Sequence, residues 1–566
     1  MQRSLRLSKM KKIIHCSLAA ILVMQIGVQT VWAAPTPAER EEQNQRARQE
    51  AIDKKERQQR SDVFLQPPAT GTQDIDLPEE SLSFPIHTIE LTGEHKANFA
   101  WLDKILTPYQ GKNIGIQGIN LIVKHATNAL IEKGYVTTRI VIPEQDLSSG
   151  TLKLVLIPGI IHDIRFQDTS YKGSWETAFP TRPGNILNLR HLEQGLEQLK
   201  RVPSQDADMQ LVPAEAPGQT DIVITIKQTK PWKVVLSADD SGSEATGKLQ
   251  LSQTFSYDNL FKANDLFNFS VNHDAENDSD QYGTKGNSVY YSRPDGNWTY
   301  TFSHSNYDYH QTVLLGVQPI TYSGTNSDLR LTVEKLLTRD QTSKTHLEIG
   351  LAMRQSKNFI EDTEIEVQRK DTTALTIALA KRQYLGQATV DARLAHKQGV
   401  SWFGAQQDLD NGPTTRYHIW TIDLSLNKPI KLGNHSAQYR TSLSGQFTDD
   451  QLYTADGFSI GNRYTVRGFD GEQTLAAERG WYLQNEISVP LKQNGPQLYW
   501  GLDYGQISGP SAAGLSGKDL AGTVLGLRGL IGKSSQYDVF IGWSLKKPEG
   551  FTTANPTYGF QWVYQI

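Results

Sequence analysis

One arginine in this chain stands where a cation could do specific work. Arg467 lies in Tyr464-Thr465-Val466-Arg467-Gly468-Phe469, inside a polar loop flanked by stretches that alternate apolar and polar residues. Between Val466 and Phe469 its guanidinium must face water or reach a carboxylate, because burying an unpaired charge costs several kcal/mol. Gly468 accepts positive φ, so the chain can fold back there and aim the side chain at one place. The same residues also fit an exposed turn arginine, and only the surrounding chain separates the two readings. A second run, Gly457-Phe458-Ser459-Ile460-Gly461, has the spacing of a serine nucleophile, which needs a strand, a strained turn and a helix. Nothing with helical period follows it, so a hydrolase is not expected. Gly514-Leu515-Ser516-Gly517-Lys518-Asp519 lacks the glycine spacing and the hydroxyl residue after lysine that a phosphate loop requires. The 13 histidines show no metal-ligand spacing. No catalytic residue, metal or cofactor is expected.

Two carboxylates could meet the arginine. In Tyr499-Trp500-Gly501-Leu502-Asp503-Tyr504, Gly501 and Asp503 share one face of a strand and Trp500 and Leu502 the other. Glu486 alternates with outward residues in the neighbouring stretch Gly480–Ser488 and is the second candidate. These stretches belong to a long region, 229–566, in which strands alternate without helical period. Phe267, Phe269 and Val271 alternate with Asn268, Ser270 and Asn272, and Trp298, Tyr300 and Phe302 with Thr299, Thr301 and Ser303. Pro294-Asp295-Gly296 marks a tight turn between two of them. At the C-terminus Tyr558, Phe560, Trp562, Tyr564 and Ile566 share one face, the mark of a transmembrane barrel's last strand. A soluble β-sandwich would also alternate. Against it stand the 11 Trp and 22 Tyr and the aromatic final strand. About 335 residues, at about 20 to 22 per strand and connection, give about 16 strands, an even number as barrels require.

The N-terminal part is different in kind. Basic residues from Arg3 to Lys12 precede an apolar stretch from Ile13 to about Val31, and Val31-Trp32-Ala33 places small residues before a cleavage point. Residues 1–33 therefore read as a secretory signal peptide cleaved after about Ala33. Cys16, the single cysteine, lies inside it, so the mature chain has no thiol or disulfide. Residues 34–60 are helix formers of mixed charge without an apolar stripe, either a solvated extension or a helix lodged in a water-filled cavity. Residues 61–83, with Pro67, Pro68, Gly71 and Pro78, read as a flexible linker. Two small α/β units follow, at 84–159 and 160–228. In the first, Ile119, Ile122, Ala126 and Leu130 recur at helical spacing before Gly134, and in the second Leu192, Leu196 and Leu199 do so. Among the 566 residues no run beyond the signal is apolar enough for a membrane helix. The net charge of −4 gives no argument for nucleic-acid binding, no basic cluster is interleaved with stacking aromatics, and no nucleic-acid partner is expected.

Two α/β units, a barrel and the run Val466-Arg467-Gly468-Phe469 in a long loop (449–479) together resemble the two-partner secretion transporters, the TpsB family, of the haemolysin secretion/activation or contact-dependent inhibition type. Leu187-Asn188-Leu189-Arg190-His191-Leu192-Glu193-Gln194-Gly195-Leu196 likewise resembles their second POTRA domain. The resemblance implies α+β periplasmic POTRA domains followed by an all-β outer-membrane barrel. It implies a plugging N-terminal helix, and a sixth extracellular loop whose tip folds into the lumen and pairs its arginine with a carboxylate in a Gly-x-Asp strand. Gly501-Leu502-Asp503 matches that motif, which favours Asp503 over Glu486. The implied function is export, and possibly activation, of a large partner exoprotein (a TpsA-type haemolysin, adhesin or contact-dependent toxin) captured by the POTRA domains. The implied alternative is an assembly factor of the related barrel superfamily. Two departures stand out: Ile566 replaces the common terminal Phe, and the cysteine some members carry near the first POTRA strand is absent from Ser83-Phe84-Pro85-Ile86.

Overall fold

The computed structural model describes residues 37–59, 62–65, 76–276, 281–315, 317–408, 412–493 and 495–566. The signal expected over 1–33 and the middle of the linker lie outside these residues. Helix α1 (Pro37–Gln59) is built from Glu, Gln, Arg, Lys and Ala, all strong helix formers. With no apolar face of its own, it depends on polar partners supplied by the rest of the chain.

The first α/β unit contains β1 (Phe84–Ile86), β2 (Thr88–Thr92), β3 (Lys112–Ile114), α2 (Ile116–Glu132), β4 (Arg139–Val141) and β5 (Thr151–Ile157). Its sheet runs β2-β5-β4, and Ile119, Ile122, Ala126 and Leu130 of α2 pack on Leu91, Leu152 and Leu154. Gly134 follows the helix at φ 92°, a conformation glycine adopts without a Cβ penalty. The second unit contains β6 (Ile160–Phe166), α3 (Leu189–Lys200), β7 (Gln205–Pro213) and β8 (Gln219–Gln228), with sheet order β6-β8-β7. Asn188 caps α3 by accepting the Arg190 amide at 2.8 Å, and Leu192, Leu196 and Leu199 bury against Ile164, Ile222 and Ile224.

The barrel begins with β9 (Trp232–Asp239), β10 (Gln250–Asp258), β11 (Leu266–Asp274), β12 (Tyr282–Asp295) and β13 (Trp298–Leu315). It continues through β14 (Gln318–Arg339), β15 (Ser343–Ile360), β16 (Lys370–Leu385), β17 (Ala388–Val400), β18 (His418–Leu432) and β19 (His435–Phe447). After the long loop come β20 (Arg479–Pro490), β21 (Gln497–Ser508), β22 (Asp519–Ile531), β23 (Ser535–Lys546) and β24 (Thr557–Gln565). These form a closed ring of 16 antiparallel strands, as the spacing of the alternation predicts. Tyr558, Phe560, Trp562 and Tyr564 lie on the outer face, where Phe560 sits opposite Val539 and Tyr558 opposite Ile541. The final residue, Ile566, exchanges both backbone hydrogen bonds with Val234 of β9. Closure at this point uses main-chain atoms, which an isoleucine supplies as well as a phenylalanine does.

The second unit docks on the barrel rim. Gln194 and Gln198 of α3 donate to the carbonyl of Gly296 in the β12–β13 turn, and Arg201 donates to Ser292 at 2.7 Å. The linker corrects its reading as flexible, because both of its described ends are fixed. Glu80 accepts the first amides of α2, those of Gln117 and Gly118, at 2.9 and 2.8 Å, satisfying donors a helix start leaves open. Residues 62–65 are wedged between α3 and the rim. Val63 and Leu65 donate their amides to Glu197 and Glu193, Arg339 donates to the Val63 carbonyl and to both glutamates, and Lys344 joins Asp62 to Glu197. Phe64 meets Tyr384 edge-on at 4.6 Å between ring centroids. Burial alone would raise the Asp62 carboxyl, but Lys344, Tyr384 and Arg382 hold it below the ordinary carboxylate range.

Candidate functional site

The loop between β19 and β20 folds back into the barrel instead of standing away from it. A short hairpin, Phe458–Ile460 against Leu475–Ala477, forms its stem. Asn462 accepts the amides of Tyr464 and Thr465, and so turns the chain just before the Val466–Phe469 tip. Val466 and Phe469 are fully buried with Ile460, Ile507, Leu520 and Phe551, and the Phe469 and Phe551 rings meet edge-on at 5.8 Å. Burying two such side chains contributes about 3 to 6 kcal/mol, so the tip is held by an apolar seat as well as by charge. Ser459 sits in the hairpin stem, and the residues after it turn into the tip without forming a helix, so the strand–turn–helix of a serine nucleophile is not built.

Arg467 enters a site made by two adjacent strands. Its Nε and Nη2 donate to the two oxygens of Asp503 at 2.7 and 2.9 Å, its backbone amide donates to Asp503 at 3.0 Å, and Nη1 donates to Glu486 at 2.7 Å. Nη2 also reaches the Asn485 carbonyl at 3.1 Å, and Arg528 holds the other oxygen of Glu486 at 2.7 Å. Asp503 is therefore the bidentate partner, but Asp503 and Glu486 are not alternatives: the guanidinium fork spans both. Register explains why. Glu486 lies directly opposite Gly501, and Gln484 opposite Asp503, so the two carboxylates flank a position with no side chain. A Cβ at Gly501 would stand 2.4 Å from Nη2, which means the guanidinium occupies the space glycine leaves.

Sequence reasoning found Arg467, Asp503, Glu486 and Gly501 but missed the rest of the cradle. A Cβ at Gly522 would stand 1.9 Å from the Arg467 carbonyl, and one at Gly542 would stand 2.8 Å from the Gly468 backbone. Gly468 itself has φ 97°, with the Trp543 carbonyl where its own Cβ would be. Inward glycines on three neighbouring strands form a shallow trough that lets the loop backbone lie against the wall. Their recurrence at inward positions of β21, β22 and β23 was the available signal. Arg528, which orients Glu486, carried none.

Helix α1 lies in the lumen, held by polar contacts to the wall and the long loop. Arg46 donates to the Ala455 carbonyl at 3.0 Å and to Gln446, Gln43 donates to Thr454, and Lys54 donates to Ser444. Arg48 pairs with Asp239 at 3.0 Å, Glu42 with Arg354 at 3.5 Å, and Glu41 accepts from Tyr307 and Thr246. Ala455 and Thr454 belong to the same loop that carries Arg467, so plug and loop are in contact. Beside the helix the lumen retains a cavity of about 1840 Å³.

A closed barrel with its own polar helix in the lumen and the second α/β unit docked on one rim defines an outer-membrane β-barrel of the transporter class. The chain belongs to the family described as haemolysin secretion/activation protein ShlB/FhaC/HecB, whose model matches residues 218–529. Residues 84–159 match the ShlB-type POTRA domain, and 160–213 match a further POTRA domain model. The outer membrane transporter CdiB-2 of Burkholderia pseudomallei is 42% identical over 83% of this chain and 81% of its own. The hemolysin transporter protein ShlB of Serratia marcescens is 26% identical over 73% of each. The solved structure of CdiB from Acinetobacter baumannii superposes with a TM-score of 0.84 at 28% identity, covering 94% of this chain and all of that one. The chain is an outer-membrane transporter of this family, which decides against the assembly-factor alternative.

Proposed function

We propose that this transporter exports one large partner exoprotein, a haemolysin, adhesin or contact-dependent toxin, from periplasm to cell surface. The signal peptide directs the chain to the periplasm and is removed after about Ala33. The two POTRA units lie in the periplasm and capture the partner by strand addition, since edge strands such as β4 and β7 have one unpaired side in the sheet order. The observation that carries this reading is a helix held in the lumen by separable ion pairs and hydrogen bonds, and tethered through residues 62–65 to the second POTRA unit. Cargo binding on that unit can therefore bear on the plug through the wedged segment. The Arg467 loop acts as a latch: seated on Asp503 and Glu486, it presents Thr454 and Ala455 to the helix. No group in this scheme breaks a bond in the cargo, and free energy for export comes from folding of the partner outside.

Deleting residues 38–60 tests the plug. Single-channel conductance in planar bilayers should rise well above that of the full chain, and an unchanged conductance would remove the helix from the mechanism.

A further inference from the structure

We propose that the exported polypeptide runs along one particular wall of the lumen, that of β10 to β13, as an extended chain hydrogen-bonded in passing to serine, threonine and asparagine side chains. This rests on the reading that the cargo crosses the lumen.

The lumen surface is divided. Between Asp258 at the POTRA end and Asp274 at the far end, the inward positions of β10 to β13 carry no charge. Thr254, Ser270, Ser288 and Ser305 are direct cross-strand partners in one rung, and Asn268 and Ser303 lie on the next toward the POTRA end. Charge begins at β14: Asp328 follows Ser305 in register, and Arg330 follows Ser303. Farther round, the charges are engaged with one another, Arg354 with Asp328, Arg393 with Glu348, Arg382 with Asp391 and Arg528 with Glu486. Plug and loop also lean on that charged side, through Arg354, Ser444, Gln446, Glu486 and Asp503. On the uncharged wall the plug's contact with β13 is made by Glu41 and Gln45 in its first turns, both to Tyr307. The cavity that remains is lined by both sides.

The two surfaces would treat a moving chain differently. A translocating segment presents backbone donors and acceptors at every residue and side chains of any charge. Fixed charges in a partly dehydrated lumen bind some segments tightly and repel others, which traps the chain. Hydroxyl and amide side chains both donate and accept, so each hydrogen bond given up to the next residue is replaced by an equivalent one. The resulting profile is nearly level along the path and tolerant of sequence. The charged wall thus holds the gate and the uncharged wall carries the cargo.

The test uses the full-length transporter with single cysteines at Ser270→Cys or Ser303→Cys on the proposed track, and at Thr421→Cys or Ser442→Cys across the lumen. The probe is the partner exoprotein of the proposed function, identified as the large protein whose secretion is lost when this transporter is deleted, arrested in transit by a disulfide-locked domain at its C-terminus and carrying cysteines along the arrested stretch. Disulfides are expected at positions 270 and 303 well above those at 421 and 442. Equal cross-linking at both walls, or cross-linking only at 421 and 442, overturns the track while leaving passage through the lumen intact. Cross-links at none of the four positions overturn lumen passage itself. As a functional arm, Ser288→Asp should slow export about tenfold, the effect of a small added barrier, and Thr421→Asp much less. Heat-modifiable gel mobility shows that each variant barrel is folded. Equal slowing by both would also overturn the track.

Discussion

Removing the Arg467 guanidinium is the most discriminating perturbation. Arg467→Ala deletes the Asp503 fork at 2.7 and 2.9 Å and the Glu486 bond at 2.7 Å, and leaves Asp503, whose side chain is fully buried, with only backbone amides. Breaking one side of a buried pair costs about 3 to 5 kcal/mol. The lower end applies here, because Arg528 still neutralises Glu486. About 3 kcal/mol shifts the seated-to-unseated ratio of the loop by about a hundredfold, at about 1.4 kcal/mol per tenfold. The apolar seat of Val466 and Phe469 remains, so the loop should become mobile without the barrel unfolding. Proteinase K added to whole cells should cut within residues 448–478 of the variant far faster than in the parent, with export lost and heat-modifiable mobility kept. The double variant Arg467→Ala, Asp503→Asn tests the cause. Once the stranded carboxylate is neutral, protection should partly return, giving a non-additive cycle. A charge swap is the poorer test, since an acid at 467 would still face Glu486. Unchanged protease protection together with full export by Arg467→Ala would refute the latch.

Other outcomes follow from the same contacts. Gly501→Ala puts a methyl 2.4 Å from Nη2 and 2.8 Å from Val524, so it should mimic Arg467→Ala in the protease assay at about 1 to 3 kcal/mol, although no charge has changed. Arg339→Ala removes the ligand shared by Val63, Glu193 and Glu197, and should raise proteolysis of the 61–83 linker and plug-open conductance together. A rise in one without the other would uncouple the segment from the plug. The Asp62 carboxyl faces Lys344, Arg382 and Tyr384, and its folded pKa lies below the ordinary value of about 3.9. Its contribution to docking is therefore complete above that value and lost as pH falls through the lower folded one. Linker protection should be level from about pH 7 to 5 and fall below about 4, and Asp62→Asn should flatten that profile.

What could be read from the sequence and what could not divide along one physical line. Alternation was legible because each barrel residue faces either outward or into water, and period 2 records that choice locally. Pro294-Asp295-Gly296 announced its turn for the same reason, and Gly296 indeed takes φ 60°. The plug's seat was not legible, because Gln43 meets Thr454 across 411 residues and no periodicity in a uniformly polar helix points to a partner. The linker illustrates the same limit at shorter range. Its prolines and polar residues describe a chain without a core, yet Val63 and Leu65 find amide acceptors on α3, a surface the linker's own composition does not encode.

The arginine site lies between these cases. Parity placed both Asp503 and Glu486 inward, which is why both stood as candidates. Choosing between them required the register of β20 on β21, and the register removes the choice by setting Glu486 opposite the glycine that precedes Asp503 by two residues. An inward glycine in a strand reads as a weakness when met alone. Three neighbouring strands carrying one each, at Gly501, Gly522 and Gly542, amount to a surface shaped for another backbone, and the occupant is the Arg467–Gly468 step. The chain has therefore spent strand stability on a docking trough for its own loop. The same glycines fix where the loop sits, since a Cβ at any of the three would meet the loop's own atoms.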